Sequence, residues 1–375
     1  MKYLFFIDFK GNLNPKNFDV MRRHRRYGLA LNSCLKSSGG TGKIVALGRY
    51  DDGLSFATSE FQVVNLGKGT KTLSYFWRAR QIISSSRDSS VALVASDPWI
   101  STLLALAIKV SINKRIKVET QIHFDFVGLF SSKGFLTRLI VKPLTLRILT
   151  FVQQIRVVDK RTLAYLEELL GKPANIYMAP SILNIDGDYL CGEERKTPEV
   201  KLLFVGRLHA ERNPLDFIRI LRILEGAAYP YIAKIVGDGP MKGILEAESN
   251  DLVLASKIEF MGQLDQVNLY NEYCAADILI STANIESYGR VLREAVYFGT
   301  RVLSSDTVGF RSLKEELGSF FTETINGIDT AEQLVSKIDK LKGVQVGIPI
   351  RQEIEGRDKA ILQILGDKWT LLLDS

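Results

Sequence analysis

Short apolar runs recur along the whole chain, separated by longer stretches whose apolar positions repeat at helical spacing. In the first half the runs are KYLFFID (2–8), GKIVALG (42–48), SVALVAS (90–96), RIKVETQIH (115–123) and QIRVVD (154–159). In the second they are VKLLFVG (200–206), YIAKIVG (231–237), KIEFMG (257–262), DILIST (277–282) and RVLSS (301–305). Most lack the alternation of a half-exposed strand, so each is expected to be buried on both faces, as in a parallel sheet covered by helices. Lys71–Ser84 and Pro98–Ile108 carry the helical spacing between them. The pattern predicts an α/β protein with two doubly wound, Rossmann-like domains. They are expected over residues 1–180 and 181–350, joined through the polar stretch Ser181–Pro198. Residues 351–375 are expected to form a last helix, free to pack back across the domain boundary.

Composition narrows the class. A chain of 375 residues exceeds one ordinary core, and 46% hydrophobic with 24% charged residues is globular usage that excludes disorder and collagen. The three cysteines, Cys34, Cys191 and Cys274, cannot all pair and show no zinc spacing, which points to a reducing cytoplasm. The first residues, MKYLFFIDFKG, are broken by Asp8 and read as a strand instead of a signal peptide. Trp99–Val110 is too short to span a bilayer. Charge is uneven: residues 1–180 hold 27 Lys and Arg against 12 Asp and Glu, and the remainder 22 against 30. The first half is therefore expected to meet something anionic.

The second half carries the candidate chemistry. In residues 277–309 a strand ends in the loop Ala283–Ser287 and a helix is expected from about Tyr288. Ligands of open α/β sheets bind beyond the carboxyl ends of the strands. Backbone amides of Ser287–Arg290, with Gly289 allowing close approach, would suit an anion. Glu286 stands in the loop and Glu294 is expected about two turns inside the helix. Such carboxylates can accept paired hydrogen bonds from sugar hydroxyls. Taken alone, they would serve as well as a helix-start charge and a surface residue. KLLFVGRLHAERNP (201–214) is another strand and turn, with Gly206, Arg207 and Arg212, whose guanidiniums suit a diphosphate. IVGDGP (235–240) and IEFMGQL (258–264) end two more strands in glycine turns.

These four strand ends, with the Gly-Arg-Leu turn, the glutamates seven residues apart and Gly299–Val302, resemble the nucleotide-binding domain of glycosyltransferase family 4. The resemblance implies the GT-B fold, two Rossmann-like domains facing a cleft, and sugar transfer with retained anomeric configuration. It implies that Arg207 and Arg212 hold the diphosphate of a nucleotide-sugar donor, the second position being lysine in most of the family. Glu286 would contact the transferred sugar, and Glu294 the ribose. Ser287, Tyr288, Gly289 and Arg290 would face the phosphate. Gly262, Gln263 and Leu264 would flank the base. No metal ion or other cofactor is implied, and no metal ligands are assigned.

By the same resemblance the first half holds the acceptor, with Gly11 and Asn12 in the loop after the first strand and His123 facing the sugar; the usual double glycine is absent. Asp125 is a secondary candidate beside His123, and would equally serve to cap or pair locally. Two basic stretches stand out: Met21–Tyr27, with arginines around His24, and Lys133–Arg156, basic and apolar with no acid. Pro143 divides the latter into two short helices, which would suit an anionic membrane surface and a glycan or lipid-linked acceptor. The expected place is the cytoplasm, peripheral on the inner face of the membrane. Nucleic acid is not an expected partner, because the basic stretches lack aromatic platforms. Other readings stay open: a sugar-nucleotide epimerase or phosphorylase of the same fold, a non-catalytic nucleotide-sugar-binding subunit, or a scaffold using the basic half.

Overall fold

The computed structural model describes residues 1–375 apart from 12, 14, 16–17, 38, 51–55, 87–88, 114, 133–136, 172–174, 186–197, 251, 320, 328, 343, 345–347 and 375. The chain divides into two compact units. One comprises Met1–Asn184 with Asp358–Ser375, the other Ile185–Arg357.

In the first unit the strands are β1 (Lys2–Asp8), β2 (Gly42–Gly48), β3 (Phe56–Ala57), β4 (Phe61–Asn65), β5 (Ser90–Ala95), β6 (Lys117–Ile122), β7 (Gln154–Val157) and β8 (Ile176–Met178). Their order is β3-β4-β2-β1-β5-β6-β7-β8. All neighbours run parallel except β3 and β4. Successive residues of β1 feed opposite faces: Phe5 and Ile7 join one buried cluster, Leu4 and Phe6 the other. Both clusters are helix-covered, which is why β1 is apolar at consecutive positions.

The second unit has β9 (Val200–Val205), β10 (Tyr231–Val236), β11 (Ile258–Gly262), β12 (Ile278–Ser281), β13 (Arg301–Ser305) and β14 (Thr322–Ile325). They form an all-parallel sheet in the order β11-β10-β9-β12-β13-β14. The chain steps outward from β9 to β11, then returns to the other side of β9 for β12. That reversal is the topological switch point of a doubly wound sheet, the place where ligand crevices open. The first sheet has its own between β1 and β5.

All ten apolar runs are strands, trimmed by a residue or two at some ends. The helices expected around Lys71–Ser84 and Pro98–Ile108 occupy Thr72–Ser84 and Ile100–Ile112. The last helix is longer than the sequence suggests, Ile348–Asp374, and its residues from Asp358 onward belong to the first unit. There Ile361, Leu365, Trp369 and Leu372 are buried in the cluster that contains Leu4 and Phe6. Gly366 allows the approach: a Cβ at that position would lie 2.9 Å from the Ala30 carbonyl oxygen on helix Phe18–Lys36.

The basic stretches need two corrections. His24 is buried beside Phe6 and Tyr27, donates through Nδ1 to the Val20 carbonyl (2.8 Å), and is a core residue. Burial, with Arg23 beside it, lowers its pKa to about 3. Arg156 lies in β7, buried, with its guanidinium donating to the carbonyls of Ala179 (2.7 Å) and Pro180 (3.1 Å), so it faces no surface. Of the rest of that stretch, Thr137–Val141 is a π-helical turn leading directly into helix Lys142–Leu149, with Pro143 in the first turn of the latter. Lys133 and the side chain of Arg138 lie outside the described residues. Among the described residues no helix is long and apolar enough to cross a membrane.

The packing of the last helix is directly testable. Leu365→Ala, at a fully buried position, should destabilise the first unit by about 2–5 kcal/mol. Ile364→Ala, half exposed on the same helix, should stay within about 0.5 kcal/mol. Urea unfolding followed by tryptophan fluorescence distinguishes them.

Candidate active site

Three strand ends of the second unit are stitched together by their turns. The Gly206 amide donates to the Val236 carbonyl (3.0 Å), Leu208 to Asp238 (2.9 Å), and Gly237 to Gly262 (2.8 Å). Gly237 is required here: its φ is +143°, and a Cβ would sit 1.8 Å from the Gly206 carbonyl oxygen. Gly206 itself is not required by packing, since a Cβ there would meet nothing nearer than 3.9 Å. The atoms it would touch belong to the Arg212 and Phe204 side chains.

Across the switch point the loop after β12 is fastened to the turn after β9. The Thr282 hydroxyl donates to the Asn213 carbonyl (2.9 Å), and the Asn284 amide to the Glu211 carbonyl (3.0 Å). This backbone stitching brings Arg212 and Glu286, 74 positions apart, into an ion pair. The side chains are 26% and 13% exposed, so the pair lies partly sheltered from water. The sequence assigned Arg212 to the diphosphate and Glu286 to the sugar of one donor; in the structure each is the other's partner. Arg207 is different. Its side chain is 66% exposed and, among the described residues, pairs only with Glu211 on the next turn, an interaction weak enough to be exchanged for a ligand.

The helix after this loop starts later than expected, at Arg290, and runs to Tyr297. Gly289 is the reason. It adopts φ +71° at the N-cap, a left-handed turn that holds Tyr288 outside the helix. Glu294 therefore lies one turn inside the helix instead of two. Among the described residues, the amides of Ser287 and Gly289 have no hydrogen-bond acceptor. Glu294 is buried and already held: Tyr273 donates its hydroxyl (3.1 Å) and Arg290 its Nε (2.8 Å). Burial and the neighbouring Glu294 carboxylate keep the Tyr273 phenol protonated, far above its ordinary pKa. Gly262, with φ +65°, closes β11; Gln263 beyond it is exposed and Leu264 half-buried. Arg207, Arg212, Glu286 and the Ser287–Arg290 turn thus gather around the switch point, while Gly262–Leu264 end a strand two positions away on the β11 side.

His123 and Gly11 lie in the first unit. Gly11 sits in the turn after β1 and donates its amide to the Asp8 carbonyl (3.0 Å); Asn12 lies outside the described residues. Buried Asp8 fastens this loop by accepting from the Leu13 amide (2.7 Å) and the Tyr50 hydroxyl (2.9 Å). His123 follows β6 directly, exposed at its outer edge, with Nε2 2.8 Å from the Gln121 amide oxygen. Crowding by protein, with Arg156 and Arg23 in range, holds its pKa well below the ordinary value. Asp125 caps the next helix by accepting from the Gly128 amide (2.7 Å).

Residues 192–344, covering the whole of this second sheet, match the family described as glycosyl transferases group 1. The fold agrees: HepE of Anabaena, solved with UDP and glucose, superposes with a TM-score of 0.69, covering 99% of both chains at 15% identity. The chain is a glycosyltransferase of the GT-B fold. Among curated proteins it is 21% identical over 274 residues to an uncharacterized 41.2 kDa protein in the cps region of Klebsiella pneumoniae, spanning 64% of this chain and 73% of that one. It is 30% identical over 105 residues to the GalNAc-alpha-(1->4)-GalNAc-alpha-(1->3)-diNAcBac-PP-undecaprenol alpha-1,4-N-acetyl-D-galactosaminyltransferase of Campylobacter jejuni, a match spanning 28% of each chain.

One organising residue of this glycosyltransferase escaped sequence reasoning. Arg293, between the two glutamates, is fully buried. It lies 4.0 Å over the Tyr288 ring and donates to the Tyr288 carbonyl, to Ser312 Oγ (3.2 Å) and to Glu316 (2.8 Å). Arg357 pairs with the same Glu316 and donates to the Tyr288 hydroxyl (3.2 Å). Burial alone would raise the Glu316 pKa, but Arg293 and Arg357 outweigh it and hold the carboxyl ionised, below its ordinary range. The Gly309 amide completes the arrangement by donating to the Glu286 carbonyl (2.7 Å). An arginine in a helix normally faces solvent, so nothing in the one-dimensional pattern marked this one. Arg293→Met should destabilise the second unit by about 3–5 kcal/mol, because Glu316 loses a buried partner. Arg219→Met, at an exposed pair, should be near neutral in the same thermal-melt comparison.

Proposed function

We propose that this glycosyltransferase moves a sugar from a nucleoside-diphosphate sugar to a lipid-linked glycan, with retention of anomeric configuration and without a metal ion, in polysaccharide synthesis. The observation that carries this reading is the gathering, at one switch point, of Arg207, Arg212, two unpartnered amides and two carboxylates. A diphosphate needs cations and amides; sugar and ribose hydroxyls need carboxylates. The reading is further supported by the UDP and glucose bound to HepE and by the undecaprenol-linked acceptor in the name of the Campylobacter relative.

In the proposed reaction the donor diphosphate draws Arg212 away from Glu286, and Glu286 turns to a hydroxyl of the transferred sugar. Arg207, Arg212, Arg290 and the amides of Ser287, Tyr288 and Gly289 meet the charge that grows on the leaving oxygen. Each such donor is worth about 3 kcal/mol in comparable sites. The bond from the sugar's C1 to the diphosphate breaks, and a bond from C1 to the acceptor oxygen forms on the same face. The acceptor's proton passes to the departing diphosphate. Glu294 holds the ribose, while Gly206 and Gly262–Leu264 leave room for the phosphates and base. In the first unit, Gly11 and His123 serve the acceptor and sugar hydroxyls.

Arg207→Ala should reduce transfer at least a hundredfold with the melting temperature unchanged, and wild-type turnover should persist in EDTA. Glu294→Ala should weaken binding of the free nucleoside diphosphate by calorimetry. Near-normal turnover of the arginine variant would remove it from the diphosphate.

A membrane surface is part of the same reading because of one observation. Leu139, Ile140, Leu144 and Phe151 are large, apolar and exposed, on the segment that also carries Lys142 and Arg147. Apolar side chains among basic ones suit an anionic lipid surface. Ile140→Asp with Leu144→Asp should abolish co-sedimentation with phosphatidylglycerol vesicles while leaving the melting temperature unchanged. Equal sedimentation of both proteins would place any lipid contact elsewhere.

A further inference from the structure

Glu119, Gln121 and His123 are alternate residues at the end of β6 and so share one face of the sheet. They form a hydrogen-bonded line, of which the proposed transfer chemistry uses only His123 and leaves Glu119 and Gln121 without a role. Glu119, fully buried, accepts from the Tyr177 hydroxyl (2.7 Å), from Trp369 Nε1 (3.1 and 3.2 Å) and from Gln121 Nε2 (3.0 Å). Burial raises the Glu119 pKa, opposed by these three hydrogen bonds and by Arg156; an indole N–H can only donate, and three donors converging on one carboxyl group are best satisfied by its ionised, acceptor-only form.

That choice propagates. With its NH2 turned to Glu119, the Gln121 amide must turn its oxygen to His123, where it stands 2.8 Å from Nε2. An amide oxygen only accepts, so Nε2 must carry the ring proton and Nδ1 must carry the lone pair. Among the described residues Nδ1 has no hydrogen-bond partner.

We propose that Glu119 and Gln121 are positioning residues that hold His123 in its neutral, Nε2-protonated form, so that Nδ1 is presented as an acceptor for a substrate hydroxyl. Trp369, from the last helix, completes the line at its buried end. Such a ring accepts from an alcohol and repels a phosphate or carboxylate oxygen, which selects the class of group bound. The lowered His123 pKa, caused by its surroundings and by Arg156, Arg23 and His24, agrees with a neutral ring at neutral pH. The kinetic consequence rests on the proposed contact of His123 with substrate; the tautomer does not.

The test uses the full-length protein with 15N-labelled histidine, and long-range 1H–15N correlation spectra at pH 7. The sequence has three histidines, and His123→Gln identifies the signal. The wild type should show a protonated Nε2 and a lone-pair Nδ1. Gln121→Leu, which keeps the volume in the strand, and Glu119→Gln, which keeps the shape, should shift His123 toward a mixture of tautomers. Each should lower kcat/KM at least tenfold with nucleoside diphosphate affinity unchanged. A wild-type ring that is charged or protonated at Nδ1 would overturn the assignment, whatever the enzyme's substrate. A tautomer that survives both substitutions would overturn the role of Glu119 and Gln121. A tautomer that shifts as expected while turnover holds would overturn the hydroxyl contact and leave the relay intact.

Discussion

A doubly wound sheet reverses its direction of growth once, and the two strands flanking that reversal send their connections away from each other. In the second unit those strands are β9 and β12. The turn after β9 and the loop after β12 are therefore the two pieces of backbone that no crossing helix covers. They are also sewn to each other, through the Thr282 hydroxyl and the Asn284 amide. The Arg212–Glu286 pair follows from this one constraint.

Charge in this region is arranged in two tiers. Below, Arg293 is wholly buried and cannot exist there without compensation, so it draws Glu316, Ser312, the Tyr288 carbonyl and the Tyr288 ring around it. That tier shapes the loop. Above it, Arg207 and the Arg212–Glu286 pair keep solvent contact and are held by single partners. Groups bound this lightly can exchange partners for a ligand; groups bound as Arg293 is cannot. The difference separates residues that build the site from those proposed to act in it.

The first unit repeats the topology with opposite chemistry. Its own reversal lies between β1 and β5, whose ends carry Asp8 and Asp97. Asp8 is consumed in holding the Gly11 turn, through Leu13 and Tyr50, and Asp97 accepts from the Trp99 amide (2.9 Å) and the Ser101 hydroxyl (2.6 Å). Where the second unit leaves guanidiniums and amides lightly held, the first ties its two carboxylates into its own loops, with Lys10 4.0 Å from Asp97.

The apolar runs alone determined ten of the described strands and the α/β class, because a strand buried on both faces must be apolar at successive positions, and that is a local property. The described strands that the pattern missed lie at or next to sheet edges: Phe56–Ala57 and Ile176–Met178 are short, Phe61–Asn65 alternates, and Thr322–Ile325 is polar. Glycine turns and glutamate spacing likewise marked Arg207, Arg212, Glu286 and Glu294 as candidates. What the one-dimensional pattern left undecided was which charges meet. The Arg212–Glu286 pair, the burial of Arg293, the core role of His24 and Arg156, and the line from Trp369 to His123 all join residues distant in the chain or hidden on unmarked helix faces. Periodicity reports whether a side chain is apolar. Only the folded sheet order sets which strand ends are neighbours, and so which donor finds which acceptor.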